Sequence, residues 1–193
     1  MTSNVTRLVY APHIQDIYTR AGVSSVYVPH PCVRPSAANA APYEWHLLVE
    51  GCANQFRRVA FSPSASVPLE SIEALAEQDP DTLFVCKSRE RSGRPNVLCH
   101  GYFKDYVEAL AQCDLVCVPF APEHKVSGPA FEAIAMGKAV ILLPNAFGHY
   151  MKTLFADHSL FPGEVLPAPG DAPAVGLHND KIVKALLKLV TRP

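Results

Sequence analysis

Ser127, Gly128 and Pro129 stand in a row behind the apolar run DLVCVPF and ahead of the run AFEAIAMG. These three residue types suit the start of a helix. A serine hydroxyl can accept from the free N–H groups of the first turn, and glycine leaves the backbone open to a ligand. Proline fits the first helical positions, where its missing N–H is not needed. The unpaired N–H groups of that turn and the positive end of the helix dipole make an anion site suited to a phosphate. Glu132 is expected in the same first turn, where its carboxylate can accept hydrogen bonds from vicinal hydroxyls such as those of a ribose. An ordinary capped helix, with Glu132 only complementing the dipole, uses the same residues.

A sheet must position this helix, and the chain is patterned for one. RLVYAP (Arg7–Pro12) reads as a strand, IQDIYTRAG as a short helix closed by Gly22, and SSVYVP (Ser24–Pro29) as a second strand. The Pro- and Ala-rich stretch HPCVRPSAANAAP reads as a linker, and YEWHLLVEGCANQ fits helix or strand equally. Beyond it RRVAFSPS (Arg57–Ser64), DTLFVCKS, NVLCHG, DLVCVPF (Asp114–Phe120), KAVILLP and GEVLP read as strands. Between and after them LESIEALAEQD, YFKDYVEALAQC, GPAFEAIAMG, FGHYMKTLFADH and DKIVKALLKLV read as helices. Phe103, Tyr106, Val107 and Leu110 are expected on one face of the second of these, and Ile182, Val183, Leu186, Leu187 and Val190 on one face of the last. The alternation predicts an α/β fold, a Rossmann-like parallel sheet with helices on both faces. In that fold ligands sit beyond the carboxyl ends of the strands, where the Ser127–Pro129 loop is expected.

Composition excludes several classes. The 193 residues are 49% hydrophobic and 18% charged, which describes one folded domain. A net charge of −1 gives no nucleic-acid footprint and no polybasic membrane surface. The longest apolar stretch, AVILLP, is too short for a transmembrane segment. MTSNVTRLVY has no long apolar core, and the six cysteines form no CxxC pair, so free thiols in a reducing cytoplasm are expected. The eight histidines show neither HxxxH nor HxH spacing, so no metal is expected. No GxGxxG follows a strand, which leaves dinucleotide binding unsupported, and no cofactor is called for.

SGPAFEAIAMGKAVI resembles the donor-binding motif of retaining GT-B glycosyltransferases of the group 1, family 4-like type, E-G-F-G-x-P-x-x-E-A-M-A-x-G-x-P-V-I. Pro129, Glu132, Ala133, Ala135, Gly137, Val140 and Ile141 match it position by position. GVSSVYVPHPCV resembles the passage that closes the family's N-terminal domain. VAFSPSASVPLESIEAL resembles the first strand, loop and helix of its C-terminal domain, and NVLCHGYF…YVEALAQCDLVCVPF resembles a later passage. The resemblance implies the C-terminal half of a GT-B fold. Residues 1–35 would be a remnant of the N-terminal domain with its linker, and 36–193 a nucleotide-sugar-binding domain.

The same resemblance implies roles. Glu132 would hold the nucleotide ribose, the Ser127–Pro129 backbone the diphosphate, and Ser64 would line the loop after the first C-domain strand. Tyr102 falls where the family packs the nucleotide base, although an aromatic there also suits a core. The family's leading glutamate is replaced by His124, with Glu123 beside it, and these two would be the catalytic residues, contacting the transferred sugar. The loop SPSASVPLES lacks the family's phosphate-neutralising Arg and Lys. Lys87, Arg89 and Arg91, after the next strand, can substitute or can simply form a solvated turn. His149 is expected on the same side, as surface or as a reach toward a phosphate or sugar oxygen. The function implied is hexosyl transfer from a nucleoside-diphosphate sugar, with this chain as the donor-binding half and a separate acceptor-domain subunit as partner. A non-catalytic nucleotide-sugar-binding module and a UDP-sugar 2-epimerase-like enzyme are the alternatives.

Overall fold

The computed structural model of the protein describes residues 7–35, 43–104, 106–119, 125–164 and 175–190. Near the amino end, β1 (Arg7–Val9), α1 (Pro12–Arg20) and β2 (Ser25–Tyr27) form a unit in which the two strands pair in parallel as a sheet of their own. Helix α2 (Tyr43–Glu50) and a single 3-10 turn (Ala53–Gln55) occupy the stretch whose pattern fitted helix or strand. There follow β3 (Arg58–Ser62), α3 (Leu69–Gln78), β4 (Thr82–Lys87), β5 (Val97–His100), α4 (Tyr106–Gln112), β6 (Leu115–Val118), α5 (Gly128–Ala135), β7 (Ala139–Leu142), α6 (Ala146–Leu154), β8 (Ser159–Leu160) and α7 (Val175–Val190). Strands β3 to β8 make one parallel sheet in the order β5-β4-β3-β6-β7-β8. The predicted Rossmann-like architecture is present.

The central strands are buried on both faces, which is why β4 and β6 read as unbroken apolar runs. Successive side chains go to opposite layers. Phe61, Val85, Val116 and Val118 join Trp45 of α2, Leu110 of α4, Phe131 of α5 and Met151 of α6 in one core. Ala60, Phe84, Leu115 and Cys117 join Ile72 and Leu75 of α3 in the other. Each fully buried side chain of this size contributes about 1.5–3 kcal/mol relative to exposure. Polar ends are satisfied between the layers: the Asn96 amide donates to the Ala76 and Thr82 carbonyls at 2.9 and 3.2 Å.

The amino-terminal unit is docked on the larger one. Val9, Ala11 and Ile14 pack against Val126 and Tyr150, and the Tyr27 and Tyr150 hydroxyls share a hydrogen bond of 2.9 Å. Asn179 of α7 clamps the Cys32 backbone from both sides, donating to its carbonyl at 2.9 Å and accepting from its N–H at 3.1 Å. All six cysteines are free thiols, and among the described residues no helix is long and apolar enough to cross a membrane.

Two expectations are corrected. The last strand among the described residues is Ser159–Leu160, ahead of GEVLP: these two buried residues pair with Val140 and Ile141, and the chain then turns at Gly163 with φ 84°, so Gly163 and Glu164 are not in a strand. Val165, Leu166 and Pro167 lie outside the described residues. Helix α4 begins only at Tyr106, while Phe103 precedes it and enters the core against Phe61 and Trp45. Of the α7 stripe, Ile182 is buried and Val183, Leu186 and Leu187 are exposed, while the Val190 side chain lies outside the described residues.

Helix α6 starts against the end of β7 with no room to spare. A Cβ at Gly148 would lie 2.0 Å from the Leu143 carbonyl oxygen, a backbone atom that cannot swing away. Gly148→Ala is therefore expected to cost at least the ~1–3 kcal/mol typical of overpacking. An unchanged urea midpoint would show that the turn can yield.

Candidate functional site

Strand order reverses between β3 and β6. From β3 the chain moves outward through β4 and β5, then returns across β3 to β6 and continues the other way. Crossovers that leave in opposite directions part the loops there and open a crevice at the carboxyl ends. The loop after β3 and the start of α5 flank that crevice.

Helix α5 is built as its sequence indicates. The Ser127 hydroxyl accepts from the Ala130 N–H at 3.4 Å, Pro129 lies in the first turn, and the side-chain position of Gly128 meets nothing within 4 Å. The backbone of the first turn is thus open to a ligand. The other end is closed by Gly137 at φ 76°, whose N–H donates to Ile134 at 3.0 Å while that of Lys138 donates to Ala133 at 2.9 Å. That pair of bonds is the Schellman closure, and it requires the glycine. Ala130 and Ala133 are fully buried, so the helix lies close on the sheet.

Glu132 is placed differently from the expectation. It is the fifth residue of α5, one turn in, so complementing the dipole does not account for it. Its Oε2 accepts from the Tyr106 hydroxyl at 2.5 Å. Tyr106 opens α4, and its ring lies 6.2 Å from that of Phe61, which packs edge-on to Phe103 and Trp45. Burial raises the Tyr106 pKa well above the ordinary tyrosine value, and the bond to the Glu132 carboxylate adds to the effect. The phenol is held as a donor. Sequence patterning gave Tyr106 only as a member of an apolar stripe.

Lys87 and Tyr102 come together at the carboxyl ends of β4 and β5. Lys87 is paired in register with His100, and its ammonium sits 5.5 Å from the Tyr102 ring centre. Tyr102 is 65% exposed, whereas its neighbour Phe103 is core. Arg89 and Arg91 are exposed on the following turn. Ser64 closes the turn after β3, its hydroxyl accepting from the Ser66 N–H at 3.2 Å. Glu123 and His124 lie outside the described residues. His149 is exposed against Phe161 on the surface of α6.

His30 is a residue the sequence gave no signal for. Its ring stacks on Phe131 of α5 at 4.4 Å with 19° between planes, and its carbonyl oxygen lies 2.8 Å from the His178 Nε2. Burial lowers its pKa, with the Pro31 carbonyl and the Glu132 carboxylate pulling the other way. The amino-terminal segment therefore reaches the helix that carries Glu132. Among the described residues no group of histidine, cysteine, aspartate and glutamate gathers as a metal site.

Comparison with solved structures places this geometry. The chain is similar to HepE of Anabaena, solved in complex with UDP-glucose, with TM-score 0.60 and 18% identity over 94% of this chain and 54% of that one. It is similar to WaaG, a glycosyltransferase involved in lipopolysaccharide biosynthesis, with TM-score 0.53 and 19% identity over 93% and 53% of the two chains. A glycosyltransferase from Rickettsia africae matches with TM-score 0.56 and 16% identity, over 93% and 53%. The fold is shared with GT-B glycosyltransferases. The chain spans about half the length of each of these structures. No protein-family model matches the sequence, and no curated protein matches it.

The raised Tyr106 pKa has a definite sign. A folded-state pKa above the unfolded one gives stability that is full below the ordinary tyrosine range, about pH 10, and is lost as pH rises toward the folded value. Tyr106→Phe is expected to leave the phenolate absorbance of the folded protein near pH 10 unchanged, and to remove signal only from alkaline unfolding. Loss of one tyrosine's absorbance in the folded protein at that pH would contradict a buried, carboxylate-bound phenol.

Proposed function

We propose that this chain binds a nucleoside-diphosphate sugar at the carboxyl edge of its six-stranded sheet, as the donor-binding half of a glycosyltransferase. The observation that carries the reading is the open, serine-capped start of α5 beside the β3/β6 reversal, with Glu132 held one turn further in. The Gly128 amide and the helix dipole take the diphosphate, and Glu132 takes the ribose hydroxyls. Tyr102 offers a face to the base, and Lys87 a cation to the phosphates. Ser64 lines the opposite side of the crevice. Glu123 and His124, which lie outside the described residues, are the proposed catalytic residues. That HepE was solved with UDP-glucose supports this class of ligand.

In the reaction the bond from the anomeric carbon to the diphosphate oxygen breaks as a bond to an acceptor oxygen forms, and the acceptor loses its proton. The chain's contribution is electrostatic, with the helix terminus stabilising charge that develops on the leaving diphosphate. Stereochemistry is retained. Residues 1–35 belong to an N-terminal domain with its linker, and 36–193 form the donor domain. Because the chain spans about half of its structural neighbours, the acceptor is supplied by a further domain or a separate subunit. A module that binds the donor without transferring the sugar is the second reading, favoured by the loop after β3, which carries no Arg or Lys. The free thiols suit a reducing cytoplasm.

Gly128→Val tests the binding claim directly. A Cβ at this position meets nothing within 4 Å, so folding stability should change by less than about 0.5–1 kcal/mol, the range of propensity effects. It would nevertheless cover the first-turn amides and weaken binding at least about tenfold, or about 1.4 kcal/mol, when UDP-, GDP- and ADP-sugars are titrated by calorimetry. Equal affinity of the native and variant chains for the nucleotide sugar they bind would exclude α5 as the diphosphate site.

A further inference from the structure

We infer that Tyr106 is a positioning residue for the ribose: its hydroxyl fixes the Glu132 carboxylate so that the free oxygen is set to receive a vicinal diol. The inference rests on the donor-site reading and adds to it a residue from another helix. An ionised carboxylate has two oxygens and about four lone-pair sites, of which the Tyr106 bond at 2.5 Å occupies one on Oε2. Among the described residues no hydrogen bond engages Oε1, which can accept from sugar hydroxyls. A glutamate side chain is otherwise among the more mobile ones, and ordering it when the ligand arrives would weaken binding. Here the order is imposed in advance.

The brace is itself rigid. Tyr106 sits in the first position of α4, with its ring against Phe61, and Phe61 is wedged between Trp45 at 5.2 Å and Phe103 at 5.0 Å. From the other side, His30 stacks on Phe131, the residue next to Glu132. Two helices that flank the β6 strand are thereby joined at one carboxylate. A tyrosine kept only for packing would not need its hydroxyl, so the two roles separate in a variant that loses the hydroxyl alone.

The experiment compares UDP with 2′,3′-dideoxy-UDP, which lacks the diol, by calorimetry on the full chain. The native protein should prefer UDP, and Tyr106→Phe should weaken UDP about tenfold while leaving the dideoxy probe unchanged. Tyr106→Gln, which restores an N–H donor, should recover part of the preference, and it carries the comparison if the phenylalanine variant does not fold. Equal weakening of both probes, or a preference untouched by Tyr106→Phe, overturns the inference. Glu132→Ala separates it from the underlying reading: a preference that survives this change overturns Glu132 as the ribose ligand, whereas a preference lost in Glu132→Ala but kept in Tyr106→Phe overturns only the role of Tyr106. Absence of UDP binding by the native chain overturns both.

Discussion

The parallel pairing of β3 with β6 is the contact on which the site depends. Ala60 lies opposite Leu115 and Phe61 opposite Val116, and the register is pinned at its start by Asp114. The Asp114 carboxylate accepts from the Val59 N–H at 2.7 Å, and its own N–H donates to the Val59 carbonyl at 2.9 Å. A slip of one residue would exchange the two faces of β6, sending Leu115 and Cys117 into the layer of α4 and α5. With the register held, the loop after β3 and the start of α5 stand side by side at the carboxyl edge. The crevice follows from the order of the strands, and the chemistry follows from what the loops bring to it.

Three segments far apart in the chain meet at α5. The amino-terminal unit contributes His30 against Phe131 and the contact of Ala11 and Ile14 with Val126. The α4 helix contributes Tyr106, and α5 itself contributes the capped turn and Glu132. The alanines on the inner face of α5 are buried, while Ser127, Gly128 and Pro129 at its start are half-buried and a Cβ at Gly128 meets nothing within 4 Å. A phosphate site made of backbone N–H groups needs this rigidity, because amides that move lose the advantage of being oriented before the ligand arrives.

The strands were legible because a sheet covered on both faces demands near-continuous apolar runs, and LFVC and LVCV supply them. Helix α5 was legible at both ends, since Ser127 and Gly137 are residue types chosen by the local geometry of a cap and a closure. The Tyr106–Glu132 bond was not, because it joins residues 26 apart through tertiary packing, and a tyrosine in an apolar stripe looks like any other core residue. Local pattern also missed a strand: Ser159–Leu160, two residues with no period to read, pairs with β7, and a turn at Gly163 with φ 84° follows it. The α7 stripe was periodic as written, yet periodicity alone does not say whether a partner covers it.

Mapping amide chemical shifts of the chain during titration with UDP-glucose is the most direct measurement of the central claim, a donor site at the start of α5. Perturbations should concentrate on Gly128, Ala130 and Phe131, with a second group at Ser64–Ser66 across the reversal of strand order. Shifts gathered at the amino ends of the strands, around Arg57 and Arg58, or no shifts at saturating ligand, would contradict it.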